Sequence, residues 1–102
     1  MNDDNSNVEQ LEDCRQSIDN LDSALIAILA ERFRLTEKIG RMKAKGGFEA
    51  SDPKREEEQL KQFRLRASSY RLDVDVAVDI MTQIIQHAKN RHEVLQGAAP
   101  LD

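Results

Sequence analysis

Residues 8–45 read VEQLEDCRQSIDNLDSALIAILAERFRLTEKIGRMKAK, and an apolar seam runs through them at heptad spacing. Leu11, Ile18, Leu25, Arg32 and Ile39 recur every seven residues, and Cys14, Leu21, Ile28, Leu35 and Met42 interleave at the three-four offsets of a buried helical stripe. The spacing predicts one long helix over 8–45, about 55 Å at ~1.5 Å per residue. A globule of about 100 residues has a radius of gyration of only ~13 Å, so this helix outruns the rest of its own chain. Its far end needs an apolar partner, and a second copy of the same chain supplies one. Arg32 is the one polar residue in the set. A guanidinium keeps its charge and is costly to bury unless an anion meets it, so the seam either hides an ion pair there or holds a negatively charged ligand.

The 102 residues allow one domain, with no internal repeat or low-complexity tract. Charged residues make up 33% and aromatics 4%, without tryptophan, which suits an all-α protein with an aliphatic core. A formal net charge of -4, with no basic run clear of acidic neighbours, argues against a general nucleic-acid or membrane-surface binder. It leaves room for a local basic pocket. The opening MNDDNSN lacks the apolar core of a signal peptide, and no stretch approaches the roughly 20 apolar residues of a membrane span, so a cytoplasmic protein is expected. Cys14 is the only cysteine, which excludes an intrachain disulfide and a cysteine-based metal cluster. Its place in the seam predicts a small buried hydrophobe rather than a nucleophile.

Beyond the seam, Gly46-Gly47 ends the long helix and opens a loop through Phe48, Glu49, Ala50 and Ser51. A short second helix follows, with Asp52 as N-cap, Pro53 at its first position, and Glu56, Glu57 and Glu58 near the positive end of its dipole. Leu60, Phe63 and Ala67 give it a modest buried side. A break near Ser68-Ser69-Tyr70 leads to Asp73, the cap of a third helix of medium length. There Val74, Ala77, Val78, Met81, Ile84, Ile85, Ala88 and Leu95 follow the three-four pattern, and His92 falls on the same stripe. The expected organisation is a disordered segment over 1–7, a helical domain over 8–96 and a frayed tail over 97–102.

Several polar residues could carry chemistry. Arg32 and Lys43 are eleven residues apart, about three helical turns, so they project from nearly the same face with ~16 Å of rise between them. Their long side chains could close on a small dianion from both ends. Arg15 lies 17 residues from Arg32, roughly 25 Å along the helix, so one small ligand reaches both only if Arg15 comes from an antiparallel partner chain. Asp52, Arg55 and Glu56 share one turn and offer a fork for a carboxylate beside acceptors for a hydroxyl. Each residue alone has a structural reading. Lys43 suits a solvated helix end, Arg15 can pair with Glu12 or Asp19, the Asp52 turn is a capped helix start, and His92 can be a satisfied core histidine.

Taken jointly, the stretch RQSIDNLDSALIAILAERFRLTEKIGRMKA, then SDPKREEEQL, then IIQHAKNRHEVL resembles the all-helical (AroQ-type) chorismate mutases over some 85 residues. The R-x-x-I-D-x-L-D opening, the A-E-R, the G-x-x-K and the D-x-x-R-E stand in register without insertion. The resemblance implies an intertwined homodimeric bundle of three helices per chain with two buried sites. It implies that Arg32, Arg55 and Lys43 of one chain, with Arg15 of the other, hold the two carboxylates of chorismate. Asp52 and Glu56 would hold the ring hydroxyl, and Lys43 would also face the ether oxygen. Where many members have glutamine or glutamate as donor to that oxygen, this chain has His92, whose neutral imidazole still carries one N–H. Where some have serine, it has Ala88, which removes a hydroxyl from the substrate's surroundings.

The activity so implied is isomerisation of chorismate to prephenate, in phenylalanine and tyrosine biosynthesis, with no cofactor or metal. Two alternatives stay open. Isochorismate-pyruvate lyases and aminodeoxychorismate mutases share the scaffold and most of its cations. A catalytically idle helical dimer, acting as an interaction or regulatory module, gains weight because small stand-alone mutases can depend on a partner enzyme of the shikimate pathway.

Overall fold

The structure, a computed structural model, describes residues 3–49 and 52–98. Among the described residues it is all-helical, with α1 over Asp3–Gly46, α2 over Pro53–Ser69 and α3 over Val74–Ala98. Helix α1 begins upstream of Val8, and Lys43 and Lys45 in its last turn complement the negative end of its dipole. Helix α3 continues past Gly97 to Ala98; residues 99–102, like Ala50 and Ser51 of the expected loop, lie outside the described residues.

The chain punctuates its helices with backbone chemistry. At the end of α1, Gly47 takes a φ of 74°, and the N–H groups of Gly47 and Phe48 donate to the carbonyls of Ala44 at 3.4 Å and Lys43 at 2.8 Å. That pair of bonds is a Schellman motif, and glycine adopts its left-handed residue without a Cβ penalty. At the start of α2, the Asp52 side chain accepts the N–H of Arg55 at 3.1 Å and Pro53 opens the first turn. The end of α2 repeats the Schellman pattern, Arg71 N–H to the Ser68 carbonyl at 3.2 Å and Leu72 N–H to the Ala67 carbonyl at 2.8 Å, but the left-handed residue is Arg71, at φ 59°. Asp73 then caps α3, accepting the N–H of Val76 at 3.1 Å.

By its internal contacts the chain divides into two compact units, Met1–Arg34 and Leu35–Asp102. In the second, α2 and α3 pack on each other. Ala67, Ala77, Ile85 and Ala88 are buried there, and Leu60, Phe63, Val74, Val78, Met81 and Ile84 are half-buried, so the expected stripe of α3 is its packing face. The Leu95 side chain lies outside the described ones. The first unit is the N-terminal part of α1 alone, and its seam is open: Leu21 is 68% exposed and Ile28 64%. Cys14 is exposed as well, which corrects the expectation of a buried thiol, because that unit contains no second element to cover the stripe.

The left-handed Arg71 gives a direct test of the turn. A non-glycine residue in this region costs roughly 1–2 kcal/mol, partly offset by the extra unfolded-state freedom of glycine. Arg71→Gly should therefore stabilise the fold by about 0.5–1 kcal/mol, read as a higher midpoint in urea unfolding. A lower midpoint would show that the Arg71 side chain contributes more than its backbone costs.

Candidate active site

The polar residues that the sequence singles out divide between the two units. Arg15 and Arg32 belong to Met1–Arg34. Arg15 is exposed and pairs with Glu12 at 3.1 Å, one of the two surface pairings open to it, while Arg32 is half-buried. Such an exposed i,i+3 pair holds its arginine weakly, at about 0.3–0.5 kcal/mol, so it yields readily to a better anion.

The others lie within Leu35–Asp102. Lys43 is half-buried in the last turn of α1. Asp52 and Arg55 are exposed at the start of α2, where the carboxylate of Asp52 is engaged as the helix cap. Glu56, one turn in, is half-buried and meets the ammonium of Lys89 on α3 at 3.2 Å. Ala88, next to Lys89, is buried at the α3 packing face. The structure thus joins the candidate carboxylate of α2 to the candidate segment of α3 through a lysine that sequence reasoning did not single out. Its signal was spacing: Lys89 stands four residues after buried Ile85 and three before His92, at the edge of the buried stripe.

His92 is 8% exposed and packs on α1. Its Nε2 lies 2.7 Å from the backbone carbonyl oxygen of Thr36. A carbonyl only accepts, so Nε2 carries the hydrogen and donates it. That N–H is thereby engaged with the Thr36 carbonyl. The remaining nitrogen, Nδ1, is buried with no hydrogen-bond partner among the described residues. Close approach of the ring depends on Gly40: a Cβ there would fall 2.6 Å from His92 Cδ2 and 3.0 Å from Nε2. A glycine inside a helix, with no turn to make, is the sequence signal for such an approach. Next to it on α3, Arg91 donates from Nε to Glu37 at 2.9 Å, and Glu37 also meets Arg41 of α1 at 3.7 Å, so an ion pair ties α3 to α1 beside the ring.

These residues offer cations on α1 and α2, a carboxylate held by a lysine, and a buried imidazole whose Nδ1 has no hydrogen-bond partner among the described residues. Among the described residues no group of three or more His, Cys, Asp or Glu side chains converges as metal ligands do, and no helix is long and apolar enough to cross a membrane. Such a set can bind and polarise a small anion.

Comparison with known proteins agrees with the residue pattern. A sequence model of the family described as chorismate mutase type II matches residues 14–93. A chorismate mutase of Methanocaldococcus jannaschii is 27% identical over 82 residues, covering 80% of this chain and 83% of that protein. A T-protein of Haemophilus influenzae is 31% identical over 81 residues and one of Enterobacter agglomerans 28% over 81, each alignment covering 79% of this chain. The chain spans 22% of the length of these T-proteins.

The contact between His92 and Gly40 is open to measurement. Gly40→Ala should cost about 1–3 kcal/mol, the range for overpacking a filled site. In a His92→Ala background most of that cost should vanish, because the ring that clashes is gone. Equal destabilisation in both backgrounds, by thermal or urea melts, would place the origin of the effect elsewhere.

Proposed function

The chain belongs to the chorismate mutase type II family, and from that premise we propose that it rearranges chorismate to prephenate in aromatic amino acid biosynthesis, as a homodimer with two shared sites. The observation that carries this reading is the buried ring of His92 packed on Gly40 of α1, three residues before Lys43. It sets a polar but water-shielded group beside a turn that ends in a cation, which a reaction with charge building on one oxygen can use.

In that reaction a C–O ether bond breaks as a C–C bond forms, within one molecule and with no proton, electron or covalent intermediate to transfer. The protein has two tasks: to hold the extended substrate in its folded reactive shape, and to place positive charge at the departing oxygen. On this reading Arg32, Lys43 and Arg55, with the partner subunit's Arg15, hold the two carboxylates. Asp52 and Glu56 accept the ring hydroxyl, Lys89 keeps the Glu56 carboxylate in place, and Lys43 and His92 face the ether oxygen. Ala88 supplies a small apolar wall.

The dimer is supported by the open seam of α1, where Leu11, Ile18, Leu21, Leu25 and Ile28 present one stripe at 48% exposure or more. A stripe of that length on a soluble helix is stable when a second helix covers it. The ~25 Å between Arg15 and Arg32 along α1 also requires that a shared small ligand draw them from different chains.

Loss of chorismate absorbance with the purified protein, followed by identification of the product, tests the activity. Prephenate is the expected product; turnover of isochorismate or aminodeoxychorismate in preference, or none of the three, selects the other scaffold readings. Arg15→Ala and Arg32→Ala homodimers should each be nearly inactive. Unfolded together and refolded as a mixture, about half of the dimers become hybrids with one doubly defective and one intact site, so roughly a quarter of wild-type activity should return. A mixture no more active than its parents, with hybrids shown to form, rejects the shared site.

A further inference from the structure

Glu56 is the carboxylate of α2 that reaches across to α3, where the Lys89 ammonium meets its Oε1 at 3.2 Å. Its neighbours Glu57 and Glu58 stay exposed. The side chains of Lys89 and Glu56 are 29% and 22% exposed, so the pair sits at the edge of the α2–α3 packing, shielded enough for its charges to act at short range and open enough for a ligand to reach it. The surroundings in the chain are positive. Arg55 precedes Glu56, and the first turn of α2 presents the positive end of the helix dipole. The Asp52 carboxylate, the other anion of this turn, is exposed and already accepts the Arg55 N–H at 3.1 Å as the helix cap.

A half-buried carboxylate standing alone draws an ammonium more strongly than a neutral hydroxyl, because charge adds to the hydrogen bond. Lys89 reverses that order. With its ammonium on Oε1 the pair has no net charge, so a second ammonium brought to the carboxylate meets Lys89 at like charge, whereas a hydroxyl donates to the same carboxylate without that cost. Resting on the reading that Glu56 accepts the ring hydroxyl of the substrate, we infer that Lys89 is a specificity-determining residue: it restricts that ring position to an uncharged donor and turns away the analogue that carries an amine there. Lys89 acts through Glu56 and needs no contact with the reacting atoms.

The analogue is 4-amino-4-deoxychorismate, whose aliphatic amine is largely an ammonium at pH 7. It keeps the ether and both carboxylates of chorismate, so the two compounds differ only in the donor that faces Glu56. Loss of a mere brace between α2 and α3 would lower the use of both alike, because both need the same packed site. Loss of a charge that selects between them shifts one against the other.

The experiment measures kcat/KM at pH 7 on chorismate and on 4-amino-4-deoxychorismate for the wild type, Lys89→Met, Lys89→Gln and Lys89→Arg, with thermal melts to establish folding. The inhibition constant of the amine against chorismate turnover reads its binding where it is not itself turned over. The wild type should prefer chorismate. Lys89→Met and Lys89→Gln, which keep much of the stem without the charge, should each shift the preference toward the amine by about tenfold or more. Lys89→Arg, which keeps the charge, should hold the wild-type ratio. A wild type that prefers the amine, an unchanged ratio in a folded neutral variant, or a Lys89→Arg ratio that moves with the neutral variants overturns the inference. Failure of both neutral variants to fold makes Lys89 a brace and overturns it as well. No turnover of chorismate or the amine by the wild type overturns the underlying reading, and this inference with it.

Discussion

The hydrogen bond from His92 Nε2 to the Thr36 carbonyl is the contact on which the site geometry depends. It joins the C-terminal part of α1 to α3 through a backbone acceptor that no substitution at position 36 removes, and it fixes the orientation of a ring that would otherwise turn. Such a bond is worth about 0.5–1.5 kcal/mol net, but breaking it would leave a buried donor unsatisfied at a cost of about 1–3 kcal/mol. The bond therefore specifies one arrangement more strongly than it stabilises the fold. Gly40 below it and the Glu37–Arg91 pair beside it serve the same docking, the first by permitting approach and the second by fixing register along α3.

The end of α1 and the starts of α2 and α3 were legible because each rests on a residue with a local physical reason. Asp52 and Asp73 carry side-chain acceptors to orphan N–H groups, Pro53 brings a preset φ, and Gly47 accepts a left-handed backbone. Arg71 was not legible. It occupies the same backbone state as Gly47, yet nothing in its chemistry announces it, and only the paired bonds to Ala67 and Ser68 reveal the motif. The stripe of α3 was legible from the three-four spacing because a packed neighbour, α2, lies within the same unit. The seam of α1 has the same spacing and stands exposed, since periodicity says that a face seeks cover without saying which chain provides it.

Side-chain roles were legible only in part, for a related reason. Arg32 attracts attention as a charge in an apolar register, and His92 as a polar ring on an apolar stripe. Which of the two ring nitrogens is open depends on a carbonyl, and carbonyls have no sequence signature. Lys89 was missed because a lysine beside a buried stripe is ordinarily a stem that carries its charge to solvent. Here its ammonium finds Glu56 across the α2–α3 packing instead, where a half-buried carboxylate needs a counterion more than water needs a lysine.

Charge accounts for the remaining tension between an acidic chain and an anionic substrate. The formal charge is -4 overall, but in the proposed site Arg15, Arg32, Lys43 and Arg55 stand against Asp52 and Glu56. With Lys89 offsetting Glu56, the proposed site carries an excess of cations, which suits a dianion, and the acidic residues that set the net charge lie mainly on exposed faces where water screens them.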